Sequence, residues 1–151
     1  MESVATILER AQQRARQSGL PYRGALTPVE AFTLSESVEG ARIVDVRTRA
    51  ELDFVGRVPG AVLVEWSHYP GGVRNAQFAE QLKLQVERTD APVMFICRSG
   101  NRSHFAAAVA AQLGYSAAFN VLEGFEGDKD QNGHRNTVGG WRVAGLPWVQ
   151  G

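Results

Sequence analysis

Val93-Met94-Phe95-Ile96-Cys97-Arg98-Ser99-Gly100-Asn101-Arg102-Ser103-His104 decides how the rest of the chain is read. Four apolar residues read as a buried strand. The strand stops at the single cysteine of the chain. A short polar loop follows, and then an alanine-rich run that reads as a helix over Phe105 to Leu113. Strand, tight loop and helix N-terminus in that order make an anion site. The first N–H groups of a helix lack partners within it, and its dipole adds positive potential there. Gly100 lets the loop take positive φ, and Ser103 is expected to cap the helix. Arg98 and Arg102 add full charges. Thiolates are favoured by helix N-termini and nearby cations, and the thiolate is the nucleophilic form. Cys97 is therefore read as reactive, in place of the commoner inert buried cysteine.

Outward from this loop, short strands near residues 41–46, 62–64 and 117–121 alternate with helices. That predicts an α/β fold with a mainly parallel sheet covered on both faces. Ligands of such sheets bind outside the carboxyl ends of the strands, and Cys97 stands at one. Val4, Ile7, Leu8, Ala11 and Ala15 are spaced for an amphipathic helix, with Ser3 as cap and Gly19 and Pro21 as stops. Thr27-Pro28-Val29-Glu30 is a capping-box start for a helix to about Ser37. Phe78, Leu82 and Val86 mark a helix from about 74 to 88. Asp45 and Arg47 follow the strand at 41–46 and read as an ion pair or loop clamp; Glu51, four residues after Arg47, is also placed to pair with it. Asp128-Lys129-Asp130-Gln131-Asn132-Gly133 starts like a calcium loop, but the twelfth position, where a bidentate Glu is needed, is Gly139. A polar turn is the better reading.

Lys and Arg total 16, as do Asp and Glu, for a net charge of zero. Such a balance gives no field for a polyanion, so neither nucleic acid nor an anionic membrane surface is expected as a partner. No apolar run approaches membrane-spanning length. One cysteine makes no internal disulfide, and no signal peptide is recognised; the expected location is the cytoplasm.

The loop Cys97-Arg98-Ser99-Gly100-Asn101-Arg102-Ser103 resembles the active-site loop of rhodanese-type sulfurtransferases. The likeness extends to Asp45-Val46-Arg47 and to Gly56-Arg57-Val58-Pro59-Gly60-Ala61, with Arg57 where the family usually has His. It also covers Leu122-Glu123-Gly124-Phe125, where Phe125 replaces a second Gly, and the close Gly140-Trp141-Arg142-Val143-Ala144-Gly145-Leu146-Pro147. Phe125 is expected to alter the loop and narrow the pocket entrance. The resemblance implies a three-layer α/β/α rhodanese-like domain over 27–151, preceded by an N-terminal helix and linker over 1–26. It further implies Cys97 as nucleophile, with Arg98, Ser99, Gly100, Asn101, Arg102 and Ser103 as the loop that holds the substrate. Asp45 and Arg47 support it, and Trp66 and His68 are candidates for the wall and rim of the pocket. The implied donor is a small anion such as thiosulfate, or a persulfide. The acceptor is a thiol or cyanide, and a protein sulfur donor or acceptor is a further possibility. No metal or cofactor is implied. Two alternatives stand beside this reading. One is a persulfide carrier or interaction module. The other is a cysteine phosphatase, disfavoured because the second arginine comes one place early and no acid is evident near the loop.

Overall fold

In the computed structural model, which describes residues 2–150, the run Val93–Ile96 forms β4, and the rest of the fold is arranged about it. The other elements in chain order are α1 (Val4–Ser18), β1 (Gly24–Leu26), α2 (Pro28–Ser37), β2 (Arg42–Asp45), α3 (Arg49–Val55), β3 (Val62–Leu63), α4 (Phe78–Gln85), α5 (Asn101–Gln112) and β5 (Ala118–Val121). The strands form one sheet in the order β1-β5-β4-β2-β3, and each pairing is parallel. All four residues of β4 are buried, as expected for a parallel strand covered on both faces.

Side chains alternate along a strand, and this alternation aims the cysteine. Val93 and Phe95 belong to the core on one face, with Leu82 of α4 and Ala106, Ala107 and Ala110 of α5. Met94 and Ile96 belong to the opposite core, with Ile7 and Ala11 of α1, Ala31 and Leu34 of α2, and Trp141. Cys97 continues the series on the α5 side. The helix that begins after the loop therefore starts beside the sulfur.

The helix ends follow the local chemistry. Ser3 caps α1, and Gly19 closes it at φ 63°. Thr27 and Glu30 form the expected capping box of α2. An identical device, Thr48 with Glu51, starts α3, a helix absent from the expected elements. Two further differences have clear causes. The helix expected from 74 is α4 and begins at Phe78, because the Asn75 N–H donates to the Trp66 carbonyl at 2.9 Å and holds that stretch against the neighbouring loop. β1 was not anticipated: three residues, Gly-Ala-Leu, carry no readable alternation.

α1 packs on β1 and α2. A Cβ at Gly24 would stand 2.7 Å from the Ala11 backbone, so only glycine permits this approach. Glu30, nearly buried, accepts from Arg10 (2.7 Å) and Arg14 (2.6 Å) of α1. Burial pushes the Glu30 carboxyl up, but the hydrogen bonds from Arg14, the Thr27 N–H and Arg10 prevail and hold it at about 2. At the other end of the chain Trp141 is fully buried. Its indole N–H donates to the Pro147 carbonyl at 2.8 Å, and Phe32 meets it edge to face. The backbone of Arg57 exchanges two hydrogen bonds with Val149, at 2.8 and 2.9 Å, so the Gly/Pro turn is tied to the closing segment. Among the described residues no helix is long and apolar enough to cross a membrane.

Candidate active site

The loop after β4 is shaped by one glycine. Gly100 takes φ 100° at the N-cap position of α5, a conformation that side-chain-bearing residues resist. The helix therefore starts at Asn101, several residues before the expected start, and Ser103 lies inside its first turn rather than at its cap. The early start turns the Gly100 N–H onto the sulfur, where it donates to Cys97 Sγ at 3.2 Å. Cys97 itself is 1% exposed, so the sulfur lies sheltered by its own loop.

Freed from capping, Ser103 has another role. Its Oγ lies 3.3 Å from Cys97 Sγ and 2.6 Å from Asn120 Oδ1. The orientation of Asn120 is set by its other contact. The Gly100 carbonyl can only accept, so Asn120 Nδ2 must face it, at 3.2 Å. Asn120 Oδ1 then faces Ser103, whose hydroxyl donates to it. With that proton committed, a neutral Cys97 donates to Ser103 Oγ. An ionised Cys97 can draw the hydroxyl round to itself, because a serine O–H rotates freely. Asn120 comes from β5, and pattern reading did not find it; nothing in its local sequence marks it. Nearby, Tyr22 is buried, with its hydroxyl 2.7 Å from His104 Nδ1. Burial raises the Tyr22 pKa against the opposing effect of Asn120, so it remains a phenol donor.

A second loop clamps the first. The N–H of Phe125 donates to the Cys97 carbonyl (2.8 Å), and those of Glu126 and Gly127 to the Arg98 carbonyl (3.0 and 3.2 Å). Gly124, at φ 63°, makes this approach possible: a Cβ there would lie 2.6 Å from the Cys97 carbonyl oxygen. Phe125 does not narrow the entrance as expected. It is fully buried, with the Arg47 guanidinium 4.3 Å from its ring centroid, because its side chain turns into the core shared with Trp141.

Arg47 and Asp45 form the clamp read from the sequence. Arg47 Nη2 donates to Asp45 Oδ2 at 2.7 Å and to the Gly56 carbonyl at 2.9 Å, with both side chains buried. Arg47 is thereby taken, and Glu51 pairs elsewhere. Its two carboxylate oxygens accept from Arg102 Nη1 and Nη2 at 2.7 and 2.8 Å. Burial raises the Glu51 pKa, but the hydrogen bond from Arg102, the Thr48 N–H and the Arg102 charge together hold it at about 2. The Arg102 pKa is raised, first by its bond to Glu51, with smaller contributions from Cys97 and Asp45. The Thr48-x-x-Glu51 spacing was the signal that could have located both α3 and this acid. Arg98 reaches a second acid, Glu126, at 3.2 Å from Nε to Oε2. The contact is an ion pair without hydrogen-bond alignment, and that buried oxygen has no hydrogen-bond partner.

These groups wall a cleft of about 420 Å³, lined by Thr48, Glu51, Ser67, His68, Arg98, Arg102 and Glu126 among others. His68 is at its rim, exposed, with Nδ1 2.6 Å from Glu65 Oε1. Trp66 is not among the wall residues. It packs edge to face on Phe78 at 5.1 Å, beneath the Arg74 guanidinium. Ser99 and Asn101 complete the loop, Asn101 exposed at the first position of α5. A cleft of similar size, about 410 Å³, lies between α2, β2 and Trp141, and its walls contain no part of the cysteine loop. The Asp130 turn is self-contained, its carboxylate accepting from the Asn132 and His134 N–H groups and from Thr137.

Residues 30–131 match the family described as rhodanese-like domain. The uncharacterized protein RP600 of Rickettsia prowazekii (strain Madrid E) is 34% identical over 120 residues, covering 79% of this chain and 91% of that protein. The thiosulfate sulfurtransferase GlpE of Pseudomonas entomophila (strain L48) is 30% identical over 101 residues, covering 67% and 80%. The crystal structure of Rv0390 from M. tuberculosis superposes with a TM-score of 0.78 at 44% identity, over 86% of this chain and 99% of that one. By the family match, by these relatives and by its parallel α/β architecture, this chain belongs to the rhodanese-like domain family.

Proposed function

We propose that the protein is a sulfurtransferase that carries a sulfane sulfur on Cys97. One observation carries this reading: the sulfur stands at the carboxyl end of the central strand, receives the Gly100 N–H, and lies at the start of α5. A helix start and a directed N–H favour an anionic sulfur. The Cys97 thiolate attacks the outer sulfur of thiosulfate or of a persulfide. Its S–S bond forms as the donor's breaks, and sulfite or a thiolate departs with the bonding pair. The Cys97 persulfide then gives its outer sulfur to cyanide or a thiol, and the Cys97 thiolate is restored. No electrons are gained or lost overall. The two half-reactions predict ping-pong kinetics. The loop N–H groups and the Ser103 hydroxyl are the donors for charge developing on sulfur. Kinship with a thiosulfate sulfurtransferase supports the class of reaction. A lone cysteine suits a reducing compartment, so the proposed location is the cytoplasm.

The test is an intact mass without reductant after exposure to thiosulfate or an organic persulfide and removal of the excess. A gain of one sulfur, absent in Cys97→Ser and stripped by cyanide as thiocyanate, is the expected result. Turnover retained by Cys97→Ser would end the covalent mechanism.

A further inference from the structure

Both arginines of the cysteine loop are already matched by acids that the fold itself places. Glu51 is set by the Thr48 capping box, with the Thr48 N–H donating to it at 3.0 Å, and grips Arg102 with both oxygens. Glu126 is 5% exposed and fixed by its backbone bond to Arg98, whose side chain it faces at 3.2 Å. Across the cleft walls the two guanidinium charges and the two carboxylate charges cancel. The histidine at the rim is itself engaged with Glu65. A cleft built to draw in a dianion would leave its cations unpaired.

Resting on the sulfurtransferase reading above, we propose that this cleft selects sulfane donors bringing at most one negative charge, such as the end of a persulfide or polysulfide, over dianionic thiosulfate. Arg102 then serves as a positioning residue, held by both oxygens of Glu51, rather than as a receptor for the donor. The transfer step is unchanged in its atoms. The Cys97 thiolate takes the terminal sulfur of an R–S–S⁻ group, giving the Cys97 persulfide and R–S⁻.

The experiment compares two donors with the same reacting S–S bond, thiosulfate and methanethiosulfonate. The first is a dianion that releases sulfite; the second is a monoanion that releases methanesulfinate. The second-order rate of Cys97 loading is followed by intact mass in wild type, Glu51→Gln, Glu126→Gln and the double variant. Glutamine still serves as the capping-box partner, so α3 keeps its start. Removing one negative charge about 7 Å from the donor in water-like surroundings speeds a dianion about eightfold and a monoanion about threefold. The preference for methanethiosulfonate should therefore fall about threefold in each single variant and about eightfold in the double. Equal gains for both donors, or no change in the ratio, would overturn the proposal while leaving the sulfurtransferase reading intact. Failure of both donors to load wild-type Cys97 would overturn that reading and the proposal with it.

Discussion

Replacing Arg102 by alanine tests how the site is held together, and its cost can be worked from Glu51. That carboxyl is held at about 2 against an ordinary value of 4.5. The difference corresponds to at most about 3 kcal/mol of stability at neutral pH. Arg102 supplies the strongest of the interactions that lower it, and the Thr48 N–H supplies part of the rest. The two side chains are 24% and 22% exposed, between the surface pairs worth almost nothing and the buried pairs that cost several kcal/mol when broken. Arg102→Ala is thus expected to destabilise by about 2 kcal/mol, a fall in Tm of about 6 °C for a domain of this size. The pH dependence has a definite sign. A carboxyl whose folded pKa is depressed contributes stability that is complete above its unfolded value and is lost as pH falls toward the folded one. The gap between wild type and variant should therefore be full at pH 7 and shrink to about 60% of that at pH 3. Urea melts at both pH values measure it, with Arg102→Lys, which keeps the charge but not the two-pronged grip, falling between. A gap that is equal at both pH values, or a variant as stable as wild type, would refute the assignment of Glu51 as the partner.

Gly124→Ala would place a Cβ 2.6 Å from backbone atoms of Cys97 and Arg98, at a φ of 63°; a loss of about 2–4 kcal/mol is expected from strain and displacement together, with slower Cys97 loading, read by thermal melts and single-turnover mass. Asn120→Ala removes the acceptor that now holds the Ser103 proton, and the rate of Cys97 alkylation against pH should shift while far-ultraviolet circular dichroism stays the same; an unmoved profile would show that Asn120 only braces the loop. Glu30→Gln leaves Arg10 and Arg14 of α1 facing a neutral partner, and hydrogen exchange should quicken in α1 well before it does in β4; uniform protection would contradict the anchoring seen at Glu30.

How far the sequence could be read differed by the range of the interaction. β4, Cys97 and the glycine turn rest on neighbours in the chain, and period-two alternation alone aims the sulfur toward α5. The Asp45–Arg47 clamp was also local. Glu51 was legible as the acid of a capping box, but its partner Arg102 is 51 residues away, and no spacing rule spans that distance. Asn120 and Glu126 reach the site only because β5 lies beside β4 in the sheet. Phe125 was misjudged for a related reason. A glycine-to-aromatic replacement says that bulk is present, not which side of the loop receives it.

The clamp on the cysteine loop bears on the order in which the site comes into being. Cys97 and Arg98 are gripped by the backbone of 125–127, and the carbonyls of Gly124 and Phe125 in turn accept from the N–H groups of Trp141 and Arg142. Gly140 passes so close to Glu126 that a Cβ would stand 2.8 Å from its carbonyl carbon. During synthesis the cysteine emerges more than forty residues before the tryptophan that locks its cradle. Until then the sulfur has its strand and helix but not the outer brace, and its reactive geometry is completed by a piece of chain made long after the nucleophile itself.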